Sequence, residues 1–182
     1  MMDAMTPAER ERLTNSLSET RRQLLDTVQN LSPAQLDYKP GPDRWSAAQI
    51  VEHLAIVEGI VLIRIDATLK SPEPKPSAWQ GRDDALMETI RSRESRVQAP
   101  ERVRPAGQLR HEELFRQFDA SRGRVIDFAA TTDAPLRSLC SPHPIFGDLD
   151  CYQWLLSVAA HSERHHAQIL EVMADANFPR AT

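Results

Sequence analysis

No stretch of this chain approaches the roughly twenty apolar residues of a membrane span, and the opening MMDAMTPAERERL has no apolar signal-peptide core. A cytoplasmic protein without a membrane segment is therefore expected. Cysteine is nearly absent. Cys140 and Cys151 are too few for a disulfide framework, and without an export signal they read as reduced, structural thiols. They also lack the short spacing of a thiolate metal site. Positive charge is not in excess, since 22 basic against 26 acidic residues give a formal charge of −4. Arg91, Arg93, Arg96, Arg102 and Arg104 cluster locally but are interleaved with Glu94 and Glu101. The strong positive field of a nucleic-acid surface is missing, so no nucleic-acid partner is expected. Glycine is scarce, at six of 182 residues, and the apolar fraction is 41%. Both point to a compact helical chain, one domain spanning residues 1–182. No repeat, low-complexity tract or convincing strand is visible.

What is present is helical periodicity. A first segment runs from about Pro7 to Leu31, with Leu13, Leu17, Leu24, Leu25 and Val28 along one stripe. Pro7 suits a first turn, where a missing N–H does no harm. A loop with Pro33, Pro40, Gly41 and Pro42 follows. Ser46 then opens a second helix, with Gln49 as capping-box partner and Trp45 and Ile50 as a hydrophobic staple. It ends near Lys70, because SPEPKP cannot continue a helix. A short polar helix is expected from Asp83 to about Ser95. A third long helix covers about Leu109–Ala130, and the last about Asp150–Ala176. The prolines fall between the long segments, so the expected architecture is all-α: a four-helix bundle with long connecting loops and a short extra helix.

Three histidines stand out. Ile50, His53, Val57, Ile60, Val61 and Arg64 lie within an arc of about 80° on the second helix. On the last helix Trp154, Val158, His161, His165, Ile169 and Val172 share a face. Residues four apart are offset by only about 40°, so His161 and His165 leave the same side. A lone histidine on an apolar face is ordinarily a hydrogen-bonded core residue. Three of them incur a desolvation cost that a shared divalent metal would remove at once. His166, about 140° from His161, serves as an internal control and reads as a surface or supporting residue. Glu163 and Arg164 read as solvated charges, and His111 as an exposed side chain. His143, in SPHPIFGDL, reads as a turn residue, with the mouth of a site as its alternative. Trp45, Phe115, Phe118 and Trp154 are expected in the core. Glu58 is expected at the surface, and Arg64 at the far end of the bundle with no role at the site.

The segments RWSAAQIVEHLAIVE and HPIFGDLDCYQWLLSVAAHSERHHAQI together resemble the DinB-like superfamily, which includes bacillithiol S-transferases and related thiol-dependent metalloenzymes. The likeness covers most of the chain. It rests on the W-S-x-x-x-x-x-x-H start of the second helix and the H-P-x-F-G loop before H-x-x-x-H-x-x-Q-I. The resemblance implies an up-down-down-up four-helix bundle and frequent dimers. It further implies a divalent metal, often nickel or zinc, on one histidine of the second helix and two of the fourth. Those positions are His53, His161 and His165.

Three imidazoles leave a metal a free position, the mark of catalytic rather than structural sites. Such a metal makes a nucleophile of water or of a thiol at neutral pH. The expected function is metal-dependent chemistry on a small molecule, either transfer of a low-molecular-weight thiol or hydrolysis. The sequence offers no obvious acidic general base. That gap leaves a second reading open, a non-catalytic, stress-linked protein that binds a metal or small ligand. A third takes the histidines as hydrogen-bonded core residues only.

Overall fold

The computed structural model describes residues 4–94 and 98–180. Arg96 of the basic cluster and Ser95, the expected end of the short helix, lie outside them. The long helices are α1 (Pro7–Val28), α3 (Ala47–Lys70), α5 (His111–Thr131) and α6 (Cys151–Met173), with α2 (Pro33–Asp37) and α4 (Asp83–Arg91) as short additions.

Four of these helices start the same way. Thr6 with Glu9, Ser32 with Gln35, Ser46 with Gln49 and Asp150 with Gln153 each form a reciprocal capping box. Each pair satisfies two backbone N–H groups that have no partner inside the helix. The Ser32–Gln35 pair corrects the expected loop around Pro33: it starts α2, with the proline in the tolerated first turn.

Side-chain contacts give the directions. Arg10 at the start of α1 donates to the Ala129 carbonyl at 2.8 Å, and Arg21 reaches Asp119 at 2.7 Å, so α1 and α5 are antiparallel. Tyr152 Oη donates to the Glu9 carbonyl, while Thr27 Oγ1 meets His166 Nε2 at 2.8 Å; α1 and α6 are parallel. His53 faces His161, whereas Arg64 lies over Trp154, so α3 opposes α6. The order is up-down-down-up. Because α3 and α5 point the same way, the chain must return the full bundle length between them. That return carries α4, packed on α6, and a short 3₁₀ turn, Glu101–Val103.

Apolar stripes from the four long helices form two core clusters. One holds Leu13, Leu17, Val61, Ile65 and Leu155; the other holds Leu24, Val28, Ile50, Leu54 and Phe118. A polar layer lies between them, and it corrects the surface placement of Glu58. Glu58 is 1% exposed and Arg122 0%. Arg122 donates to Glu58, Ser162 Oγ, Thr20 Oγ1 and the Leu17 carbonyl, touching all three other long helices. Helical spacing placed Glu58 about 140° from His53, which is away from the site but toward α5 rather than toward water.

The expectation of no strand is also corrected. β1 (Cys140–His143) pairs antiparallel with β2 (Gly147–Asp150), from Cys140 opposite Asp150 to His143 opposite Gly147. Four-residue strands containing Pro142 show no alternating apolar run, so no sequence period announces them. Tertiary contacts hold the hairpin instead: Ala78 N–H donates to the Asp148 carbonyl, and Trp79 Nε1–H to the Phe146 carbonyl. Gly147, at φ +74°, closes the three-residue loop in a conformation that other residues adopt at a cost. Cys140 and Cys151 are free and buried. Among the described residues no helix is long and apolar enough to cross a membrane.

Candidate metal centre

The three ring nitrogens meet where α3 and α6 face each other. His161 Nε2 lies 3.4 Å from His53 Nε2 and 3.0 Å from His165 Nε2. One donor atom from each of the three rings falls within 4.8 Å of the others, and this is a group able to hold a metal ion.

The partners on the far side of the rings orient them. His53 Nδ1 lies 2.7 Å from the Val103 carbonyl. A carbonyl only accepts, so Nδ1 carries the proton and Nε2 keeps its lone pair. His165 Nδ1 meets Gln168 Oε1 at 2.9 Å, which protonates it in the same sense. Two lone pairs therefore face the third nitrogen. A single proton on His161 can satisfy one of them at a time, whereas a cation satisfies all three. Nitrogens about 2.1 Å from a tetrahedral ion stand roughly 3.4 Å apart, close to the spacings found here. The residues present fit a divalent metal.

Burial favours the neutral, metal-binding state of each ring. It lowers the His53 pKa, with the Val103 hydrogen bond working against it. It holds His161 well below 6.5, helped by the neighbouring rings, and brings His165 down to about 3, with His53 adding to the effect. The indole of Trp45 forms a wall, 4.9 Å from the His53 ring and stacked at 6.4 Å on His165. Trp45 is half-buried and faces a cavity, rather than lying wholly in the core as expected.

That cavity, of about 1120 Å³, opens in front of the histidines. It places His143 in both of its expected settings at once. Nδ1 accepts from the backbone N–H groups of Ile145 and Phe146, a turn role, while the ring lines the cavity against Trp154. Burial, with Arg64 adding to it, pushes its pKa down to about 4. Arg64 is corrected too, because its guanidinium lies 5.2 Å above the Trp154 ring on the same cavity. An arginine side chain spans more than a helical turn, so position on the wheel does not locate its charge. Arg164 is half-buried and also lines the cavity, and Glu163 is ion-paired with Arg91 rather than freely solvated. His111 is half-buried, with Nε2 2.8 Å from Asp37. His166, held by Thr27, stays away from the centre.

Three supports carry no assigned role in the sequence reading, although Gln168 is the Q of its H-x-x-x-H-x-x-Q-I motif. Gln168 stands at the fourth position of H-x-x-Q, a spacing that places it one turn from His165. Glu52 accepts from the backbone N–H groups of Ala106 and Gly107, which latches the crossover beside His53. Val103 acts through its carbonyl, for which no residue type is a signal.

Residues 16–169 match the DinB superfamily. The chain belongs to that superfamily. DinB superfamily membership is accompanied by likeness to the uncharacterized protein YuaE of Bacillus subtilis (strain 168), 25% identical over 161 residues, which are 85% of this chain and 93% of YuaE. Among solved structures, YfiT from Bacillus subtilis superposes with a TM-score of 0.62 at 18% identity, over 93% of this chain and 89% of YfiT. YfiT is described as a probable metal-dependent hydrolase with an unusual four-helix bundle topology. TT2238, a four-helix bundle protein, gives a TM-score of 0.53 at 22% identity, over 89% of this chain and 98% of TT2238. At these identities the two structures speak for the four-helix fold of this DinB superfamily member.

Proposed function

We propose that His53, His161 and His165 are the ligands of a divalent metal, zinc or nickel, in an enzyme that acts on a small molecule. The observation that carries this reading is the arrangement of lone pairs: two rings with protonated Nδ1 aim Nε2 at the third, in front of an open cavity. A metal bound there would polarise a substrate and lower the pKa of a water or thiol nucleophile.

The chain's own residues have definite parts. Val103 and Gln168 fix ring orientation, so the donor atoms need no rearrangement to bind. Trp45 shields one side from water. No carboxylate joins the histidine cluster among the described residues, and Glu171 on the cavity wall is held by Arg93. With no side-chain base at the cluster, the proton of the nucleophile would pass to solvent through the open cavity, its loss made easier by the lowered pKa that a metal held by the three histidines would supply. Hydrolysis is the leading reaction, supported by the likeness to YfiT. Thiol transfer to an electrophile stands beside it, because a cavity of about 1120 Å³ exceeds what one small ligand usually fills and leaves room for a second.

Metal analysis of purified protein tests the ligand set. Near-stoichiometric zinc or nickel is expected in the wild type, with a large loss in His161→Ala that leaves the helical circular dichroism intact. Unchanged metal content in that variant overturns the assignment. An ester and amide panel, alongside thiols with a bimane electrophile, then separates the two reactions. No metal-dependent turnover in either arm would leave a metal-binding protein without catalysis.

A further inference from the structure

Basic side chains outnumber acidic ones at the cavity of this acidic protein. Among the described residues, seven basic and two acidic side chains line it, although the chain as a whole is at −4. Glu171 is ion-paired with both Arg93 and Arg44, which leaves the other basic side chains to set the sign of the field. Such a funnel attracts anions.

Within it, two cationic or donor side chains share one aromatic platform. Arg64 from α3 lies over the Trp154 ring at 5.2 Å, and His143 from the hairpin packs on the same ring at 4.7 Å between centroids. The Ile145 and Phe146 N–H groups, 3.1 and 3.3 Å from His143 Nδ1, occupy its lone pair. A neutral imidazole has one proton, which must then sit on Nε2 as a donor. Among the described residues neither that donor nor the Arg64 guanidinium meets an acceptor of the protein's own. Trp154 precedes His161 by two turns of α6, about 10 Å along the helix axis.

We propose that Arg64 and His143, seated on Trp154, bind an anionic oxygen group of the substrate, carboxylate or phosphate, about 10 Å from the three-histidine centre. The substrate is then an elongated anion whose reacting end reaches the histidines. This rests on the reading above that the reacting end lies at the histidines. The geometry recommends the pair because guanidinium and N–H donors supply charge-assisted hydrogen bonds from two elements, and the indole holds both in place.

Suberic acid monohydroxamate, octanoyl hydroxamate and a phosphate-ended analogue of the same length provide the test, by calorimetric titration of metal-loaded protein. Either anionic end should bind about tenfold or more tightly than the methyl end, and the tighter of the two identifies the anion. Arg64→Met should erase that preference while leaving metal content and the octanoyl affinity unchanged. Equal affinities in the wild type, or a preference that survives in Arg64→Met, overturn the subsite and leave the metal reading standing. If no hydroxamate binds and no metal is retained, the metal reading fails instead. The subsite is then decided by the ¹⁵N signals of the His143 ring on adding inorganic phosphate. A shift that Arg64→Met abolishes upholds it, and no shift overturns it.

Discussion

Two sets of buried ionisable groups sit at neighbouring levels of the bundle and are satisfied in opposite ways. Glu58 and Arg122 form a charged layer closed on itself, with Ser162, Thr20 and the Leu17 carbonyl taking up the remaining guanidinium protons. Among the described residues of that layer, Glu58 Oε2 alone is left without a partner. The histidines are neutral, and their outer nitrogens are bonded so that the inner lone pairs converge on one another and on the cavity. Both sets pay desolvation. A polar group whose partners are all internal serves the fold, whereas lone pairs that converge at the wall of an open cavity are free to take a ligand from outside. Adjacent residues make the contrast concrete: on α6, Ser162 belongs to the closed layer and His161 to the open one.

The comparison breaks most forcefully on the closed side. Arg122→Met should destabilise the protein by about 3–5 kcal/mol in urea unfolding, because Glu58 would remain buried without its counter-charge. Adding Glu58→Met should recover most of that loss. If the single variant costs under about 1 kcal/mol, the layer is not closed in the sense described.

The next largest effect is on the open side and appears as a pH dependence. Histidines with folded pKa values below 6.5 are favoured in the neutral form, so the unfolded chain binds more protons on acidification. Their contribution is complete above about pH 6.5 and is lost as pH falls. For His165, brought down to about 3 chiefly by burial, the loss at pH 5 is about 2 kcal/mol. Asp150, whose carboxyl burial pushes up to about 6, acts in the opposite sense and offsets part of it. The measurement is therefore a difference: metal-free wild type should lose more thermal stability between pH 7 and pH 5 than His165→Asn. Parallel profiles would contradict the neutral, buried state of that ring.

The smallest expected effect sharpens the division between the two sets. Gln168→Ala removes only the partner of His165 Nδ1, so metal affinity should fall about tenfold while unfolding stability of the metal-free protein changes by less than about 0.5 kcal/mol. Competition with a chelating dye reads the first quantity and urea unfolding the second. A loss of stability without a loss of affinity would place Gln168 with the structural layer.

Much of this was legible along the chain. The Ser46–Gln49 capping box and the i, i+4 histidine pair are local patterns, and α3 and α6 formed where those patterns put them. The same S-x-x-Q reading applied to Ser32 would have found α2. Glu58 was misplaced for a different reason. A helical wheel says which way a side chain leaves its helix, but only the neighbour on that side says whether water or Arg122 waits there. The hairpin escaped notice because its pairing is held by Ala78 and Trp79, more than sixty residues upstream of the strands they contact.

The amino-acid order alone settles the helices, their starts and the shared face of His161 and His165, since helical hydrogen bonds and side-chain spacing are local. The meeting of His53 with that pair, the Val103 carbonyl behind it, the Arg122 layer and the placement of Arg64 and His143 on the Trp154 ring belong to packing. They depend on how far each helix turns and slides against its neighbours, and no stretch of residues encodes that by itself.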